Sequence, residues 1–372
     1  MYFLWNPDPI AITFADMPVS WYGLLFALGF LFSQRFMIYV YTVERKPAHE
    51  ILLVYLIVGT AVGARLGHCL FYDPAFYLSH PTNILRIWEG GLASHGAAIG
   101  ILVTLYIFAR RYPEQGYLWL VDRIVICASM VGFLVRVGNF VNSEIPGTPT
   151  QSGYGVVFAH DIVSSIQASN SGIKGVEMSA QRAGPEIAAG VVPITLGFRV
   201  VNSDRNVVEQ LLRRDLPLAV EGNPLAAMNL EDGTLRGVRS TITDVPGGYH
   251  VTLMIHAIAR HPVQVYEAAF YLVLCTFLLR YWYRKRSTIP HGLLLGWFLA
   301  VLFSFRFLVE LVKEDKVILN ILLPLKVGQL LSIPFVFLGL WMVRYAHSHY
   351  PTTPGHPAAR ESTPSDSRRK SQ

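Results

Sequence analysis

Charge is scarce in this chain. Of its 372 residues only 15% are Asp, Glu, Lys or Arg, while 52% are hydrophobic and mean hydropathy is +0.38. A soluble domain carries about 25% charged residues, so the composition excludes an ordinary soluble enzyme and leaves a membrane protein. Cysteine is scarcer still: Cys69, Cys127 and Cys275 all fall in apolar runs without CxxC spacing, which supports neither a disulfide framework nor a zinc site. Lys and Arg are absent from MYFLWNPDPIAITFADMPVS, so the N-terminus lacks the basic region of a cleavable signal peptide. HExxH, GxSxG and aspartate clusters are missing from the apolar runs, which leaves metal and serine chemistry unsupported, and no metal or cofactor is expected. Internal repeats are not visible either, against the large transporter class built on them. The net charge of +6 and pI near 9.2 come from short basic clusters between apolar runs, not from one basic face, so no nucleic-acid partner is expected.

What is present is a series of apolar stretches. A window of about 20 residues, the length of helix that crosses a hydrocarbon core, picks out about seven, near 22–42, 51–72, 94–110, 119–141, 264–284, 292–312 and 328–346. Arg45 and Lys46, Arg110 and Arg111, Arg284 to Arg286, and Arg344 follow alternate spans. Because cytoplasmic loops accumulate Lys and Arg, this places the N-terminus outside and the C-terminus inside. The loop with Lys313, Lys316 and Lys326 votes the other way. Residues 148–260 differ in character: short alternating or β-branched runs bounded by Gly, Pro and Asn predict a small α+β extracytoplasmic domain inserted between helices 4 and 5. The expected organisation is therefore an all-α polytopic membrane domain, 1–147 and 261–348, interrupted by this insert. Residues 349–372, rich in Pro, Ser and Arg, are expected to form a disordered cytoplasmic tail.

With direction assigned, the polar residues sort by depth. Tyr22, Arg65, His95, Arg136 with Asn139, and Arg306 with Glu310 all fall at the outer ends of their spans, at one level. Ionisable groups in spans are costly unless they face the bundle interior or a wet cavity and find a partner. Singly, each has an ordinary account: Arg65 in GARLGH serves structural pairing or function, His95 is an interface histidine, Arg306 and Glu310 form an i, i+4 pair, and the asparagines are interhelical glue or a helix C-terminus. Arg136, Asn139 and Ser143 share a helix face, followed by Asn142 and Glu144 at its end. Together, arginines, a histidine, an asparagine and a tyrosine at one depth suggest a site for an anionic headgroup, since guanidinium offers phosphate two parallel donors.

These stretches resemble the bacterial prolipoprotein diacylglyceryl transferase family. The likeness is carried by Arg136, Gly138, Asn139, Asn142, Glu144 and Gly147 in RVGNFVNSEIPG, and by WYG at Trp21 to Gly23, GARLGH around Arg65 and WEGGLASHGAAIG around His95. HPVQVYE from His261 to Glu267 and FRFLVE with Arg306 and Glu310 complete it in order. The resemblance covers nearly all the membrane part and little of the insert or tail. It implies transfer of the diacylglyceryl group of phosphatidylglycerol to the lipobox cysteine of preprolipoprotein signal peptides, forming a thioether in the bacterial inner membrane, with the active site toward the periplasm. Membrane lipid and signal peptide are then the partners. It also implies roles: Arg136 and Arg306 hold the phosphate, Glu310 orients Arg306, and Tyr22 and Asn139 hydrogen-bond the headgroup. Glu144 orders Arg136 or the rim, Arg65, Asn142 and Gly147 contribute to substrate binding, and His95 is the base or positions substrate. The chain departs from the family pattern at Ser20, where an Arg is expected, at Ala97 for a Gly, at Leu302 for a Tyr, and at Thr148 for a basic residue. The alternative reading is a secondary transporter or channel for an anionic solute, which the same arginines would serve.

Overall fold

The computed structural model describes residues 2–14, 16–86, 90–181, 188–201, 203–314 and 325–349. The expected tail, apart from His349, lies outside them. Three short strands, β1 (Tyr2–Trp5), β2 (Ile10–Phe14) and β3 (Met17–Ser20), lead into α1 (Trp21–Val43). Then follow α2 (Leu52–Phe71), the short α3 (Pro74–Ser79), α4 (Ser94–Arg111) and α5 (Tyr117–Val141). The middle of the chain holds β4 (Gly155–Phe158), α6 (His160–Ser169), β5 (Ile173–Ala180), β6 (Val191–Val201), α7 (Arg205–Gln210), α8 (Leu216–Glu221), α9 (Pro224–Ala227), β7 (Arg239–Val245) and β8 (Gly248–Ile258). The chain then returns to long helices, α10 (Val263–Lys285), α11 (Leu293–Val309) and α12 (Val327–His349).

Among the described residues, six helices are long and apolar enough to cross a membrane, against the seven expected. The expected third span is a helix, α4, but it opens on Ser94-His95-Gly96 and closes on Arg110-Arg111, and these ends lower its apolar content. α4 lies against α2 through glycines. A Cβ on Gly63 or Gly67 would strike the backbone of Gly96, and one on Gly100 would strike the carbonyl of Gly59. Small residues four apart let two backbones approach closely, which is how helices associate where lipid removes the hydrophobic drive.

The main apolar core joins α5 to α1, α2, α4, α10, α11 and α12, with Val40, Leu56, Phe108, Leu120, Ile126, Leu278, Leu294 and Ala346 inside it. One end of the bundle is closed by buried charge. Glu44, just after α1, accepts from Trp119 Nε1 at 2.7 Å, Trp282 Nε1 at 2.6 Å and Arg123 Nη2 at 2.9 Å. Asp122 accepts from the backbone N–H of Gly292 at 2.7 Å and Leu295 at 2.9 Å, satisfying donors that the start of α11 leaves open.

A second core sits between α5 and α10. Strands β5-β6-β8-β7 form an antiparallel sheet, and period-2 alternation turns Ile194, Leu196, Phe198 and Val200 of β6 inward with Val251, Leu253 and Ile255 of β8. Ile162 and Ile166 of α6 cover that face along with Val208, Leu211, Leu216 and Val220. β1 pairs in parallel with β4, so the first residues of the chain join this part. Trp5 Nε1 donates to the Phe140 carbonyl at 2.8 Å, and its ring stacks on Phe140 at 4.4 Å, tying the second core to the end of α5.

Candidate active site

The last turns of α5 carry Arg136 and Asn139 three residues apart on one face, as the helical period requires. Arg136 Nε lies 3.1 Å from a Glu267 carboxylate oxygen, and its Nη1 donates to Asn139 Oδ1 at 3.4 Å. Asn139 Nδ2 in turn donates to Glu144 at 2.8 Å, and Asn142 Nδ2 reaches the other Glu144 oxygen at 3.2 Å. Gln264 Nε2 donates to the Glu144 backbone carbonyl. The second Glu267 oxygen accepts from Lys313 Nζ at 2.8 Å. A continuous relay thus runs Lys313, Glu267, Arg136, Asn139, Glu144, with cation and acid alternating as far as Arg136 and the neutral Asn139 amide joining Arg136 to Glu144.

The backbone beyond α5 is strained to aim these groups. Ser143 and Ile145, on either side of Glu144, both sit in the left-handed region at φ +56° and +54°. Non-glycine residues occupy that region at a cost, and such strain concentrates at functional sites. Tyr22, at the start of α1, packs over Gly138, where a Cβ would lie 2.9 Å from its ring, and stands within electrostatic reach of Glu144 and Arg136. Asp161, from α6, adds a carboxyl beside Glu144. Burial, with a smaller push from Glu144, holds it above the usual carboxylate range, and His160 opposes the rise.

Arg306 enters from α11. Phe270 of α10 stacks face to face on Phe305 at 3.9 Å, which seats the Arg306 turn against α10. Tyr271, packed on Gly132, lies within electrostatic reach of Arg136, Glu267 and Arg306 together. Arg306 has no hydrogen bond or ion pair among the described residues, and the expected pair with Glu310 does not form. The Glu310 carboxylate lies instead over Gly328, whose added Cβ would meet it at 2.5 Å, on the first turn of α12, where open N–H groups favour an anion.

Three further residues expected at the site have local settings of their own. Arg65 is committed to its own loop: Nε donates to the Ile84 carbonyl at 2.9 Å, Nη1 to Gly90 at 2.6 Å and Nη2 to Asn83, with the Tyr77 ring 5.1 Å away. None of these bonds reaches the Arg136 relay. Gly147 makes a backbone junction, its N–H donating to the His261 carbonyl at 2.9 Å while Thr148 N–H donates to Val312 at 2.9 Å. His95 is exposed at the start of α4, with no hydrogen bond or ion pair among the described residues. The single polar level read from the sequence therefore resolves into a bonded group on the end of α5, the start of α10 and Lys313, with Tyr22 and Arg306 placed by electrostatic reach and Arg65 and His95 on the α2–α4 pair outside its hydrogen bonds.

The departures have local accounts. Ser20 caps α1, its Oγ accepting from the Gly23 N–H at 3.1 Å, and Leu302 packs against the main core. Gln264, Glu267, Tyr271 and Lys313 are the site members that the sequence reading passed over. The first three lie in or next to HPVQVYE, and Glu267 is an acid near the start of an apolar span, a signal available without coordinates.

Among the described residues, the buried side-chain polar atoms without a hydrogen-bond partner are Asn142 Oδ1, Ser143 Oγ, Gln264 Oε1 and Glu310 Oε2, while Glu267 Oε2 makes no hydrogen bond but is ion-paired with Arg136. Buried polar atoms are nearly always satisfied, so these atoms make this end of the bundle the candidate binding site. Fold and geometry define a helical membrane protein with a polar, cation-bearing candidate site at one end of its bundle. Residues 9–345 match the family described as prolipoprotein diacylglyceryl transferase, and the chain belongs to that family. It is similar to phosphatidylglycerol–prolipoprotein diacylglyceryl transferases from Tolumonas auensis (33% identity over 338 residues, 90% of this chain and 94% of the relative) and Chloroherpeton thalassium (32% over 344 residues, 92% and 93%). A third, of the same name, is from Porphyromonas gingivalis (32% over 357 residues, 91% and 93%). None of the three is named as a transporter.

Proposed function

We propose that this chain transfers the diacylglyceryl group of phosphatidylglycerol to the thiol of the lipobox cysteine of a preprolipoprotein. The thiol, whose free pKa is about 8.5, gives up its proton, and the thiolate attacks the glyceryl carbon that bears the phosphate ester. A carbon–sulfur bond forms as the carbon–oxygen bond breaks, and the electron pair leaves with glycerol phosphate. The reaction balances without a redox partner. Charge builds on the departing phosphate oxygen, so donors that tighten on it there accelerate the step. In this reading Arg136 and Arg306 grip the phosphate from two sides of Tyr271. Asn139 and Tyr22 contact the headgroup, and Glu144 with Asn142 holds the Arg136 face in place. Arg65 and Gly147 act through the backbone they organise, and Glu310 through the start of α12. His95 is the proposed base.

The same reading takes α4 as a seventh crossing, N-terminus outside and C-terminus inside, with 1–147 and 261–348 in the membrane and 148–260 as an extracytoplasmic insert. The site then faces the periplasm of a bacterial inner membrane. The basic clusters that follow alternate long helices, Arg45 and Lys46, Arg110 and Arg111, Arg284 to Arg286, and Arg344, support this arrangement. The observation that carries the function is the Arg306 guanidinium, without a hydrogen bond or ion pair among the described residues, within electrostatic reach of the same Tyr271 as Arg136. Purified protein incubated with phosphatidylglycerol and a lipobox peptide should add one diacylglyceryl unit to the peptide, read by mass, and R136A should abolish the product while the protein still inserts. Wild-type protein that leaves the peptide unmodified would overturn the reading.

A further inference from the structure

Glu267 presents an electrostatic puzzle. A carboxylate against Arg136 would cancel the positive charge that an anionic lipid needs. Yet this one is nearly enclosed, at 5% side-chain exposure, and its geometry is divided: one oxygen lies 3.1 Å from Arg136 Nε, the other 2.8 Å from Lys313 Nζ. Two cations share one acid, so the three groups keep a net charge of +1. The contact with Arg136 is at Nε alone. Asn139 takes Nη1 at a long 3.4 Å, and Nη2 has no partner among the described residues. The guanidinium is thus held by one nitrogen while its outer edge stays open for a bidentate contact with phosphate.

We infer that Glu267 is a positioning residue for Arg136, and that Lys313 restores the positive charge which Glu267 would otherwise remove from the lipid-headgroup site. The inference rests on the proposed diacylglyceryl transfer for its substrate and on the coordinates for its geometry. Lys313 is well placed for this role. It follows the last turn of α11, and its backbone carbonyl accepts from Lys326 Nζ at 2.9 Å. Gly147 and Lys313 also bridge as antiparallel strand residues, which fixes the lysine relative to the end of α5. Glu267 itself is set by the first turns of α10, where Gln264, one turn earlier, holds the Glu144 carbonyl. One helix start therefore orders both ends of the relay.

The two residues fail in different ways. In E267Q the shape is kept but Arg136 loses its anchor while gaining net charge. Headgroup binding then holds or tightens, and transfer falls by roughly 30-fold, carried in kcat, because the phosphate is gripped out of line. In K313Q the acid neutralises Arg136, so KM for phosphatidylglycerol rises by about 10-fold with a smaller change in kcat. K313R recovers most of that loss, and E267D recovers part of the kcat. Mere scaffolding would lower expression and thermal stability in both without this split.

The experiment measures kcat and KM for phosphatidylglycerol in mixed micelles for wild type and the four variants, alongside binding of short-chain phosphatidylglycerol and thermal unfolding. E267Q with wild-type kcat, or K313Q with wild-type KM, overturns the inference and leaves the transfer reading standing. If wild type itself transfers nothing, the transfer reading fails, and the binding arm decides: K313Q affinity equal to wild type overturns this inference as well. If E267Q does not accumulate, E267D against wild type and K313Q against K313R carry the same comparison.

Discussion

Replacing Gly147 by Ala puts one methyl group into the junction of three chain segments. A Cβ at this position would lie 2.6 Å from Val263 Cγ2, 2.7 Å from the His261 carbonyl oxygen and 2.7 Å from the Val312 carbonyl oxygen. Two of the three obstacles are backbone and cannot rotate aside. The segments must move apart, which lengthens the Gly147 to His261 and Thr148 to Val312 hydrogen bonds, both 2.9 Å. Losing two such bonds costs about 1 kcal/mol each, and overpacking adds about 1–3 kcal/mol, so G147A should destabilise the protein by roughly 3–5 kcal/mol. The functional effect follows from the same geometry. Val312 precedes Lys313, and His261 leads into the helix that carries Glu267, so a shift here opens the relay around Arg136. The assay is thermal unfolding in detergent together with diacylglyceryl transfer, and both should fall. Unchanged unfolding with lost transfer would refute the packing account and return Gly147 to direct substrate contact.

R306K keeps the charge but not the planar two-donor edge, so transfer should drop by about 100-fold with little change in unfolding temperature, measured with the peptide assay. S143G relieves a left-handed residue and deletes a buried hydroxyl without a partner, and should raise stability by about 1 kcal/mol in thermal or denaturant unfolding. D161N is a test in pH. Burial raises the Asp161 pKa in the folded protein, so the folded state binds this proton more tightly than the unfolded state does. The penalty enters as pH rises from the ordinary aspartate range and is complete above the raised value. D161N should therefore raise the unfolding temperature at pH 7.5 and do little near pH 4; the opposite order would show that ionised Asp161 is stabilising.

The spans were legible because hydropathy acts over consecutive residues, and the Arg136 and Asn139 face because a helix repeats within four. The alternation in β6 and β8 exposed the insert for the same local reason. What stayed hidden depends on contacts across the chain. Glu267 and Lys313 are 46 residues apart, and Arg123 meets Glu44 across 79, so no window joins them. The pairing of β1 with β4 is more distant still, and four residues at the N-terminus carry too little pattern to announce a strand. Arg65 was ambiguous for another reason. A buried arginine facing phosphate and one facing backbone carbonyls need the same sequence neighbourhood, and only the position of the Ile84 to Gly91 loop separates them. α4 shows the limit of composition. Its polar ends lower its hydropathy, yet its glycines let it lie against α2.

The two ends of α5 bear the contrast that directs chemistry to one of them. Asp122 and Arg123 are fully buried at the first end, and every strong acceptor there is met by a nearby donor: two indole N–H groups and a guanidinium on Glu44, two backbone N–H groups on Asp122. A charged network closed in this way resists opening, because removing any member strands another in low dielectric. At the second end the same helix places Arg136 in a relay near which Asn142 Oδ1, Ser143 Oγ and Gln264 Oε1 are unsatisfied, and Arg306 there has no hydrogen bond or ion pair among the described residues. Both ends hold charges that apolar surroundings penalise. Only the second can lower its free energy by taking up an anion that also offers hydrogen-bonding groups, and a glycerol phosphate headgroup offers both. Its acyl chains would remain in the hydrocarbon layer beside the helices while the phosphate sat between Arg136 and Arg306, with the glyceryl carbon at the boundary where a thiol can reach it.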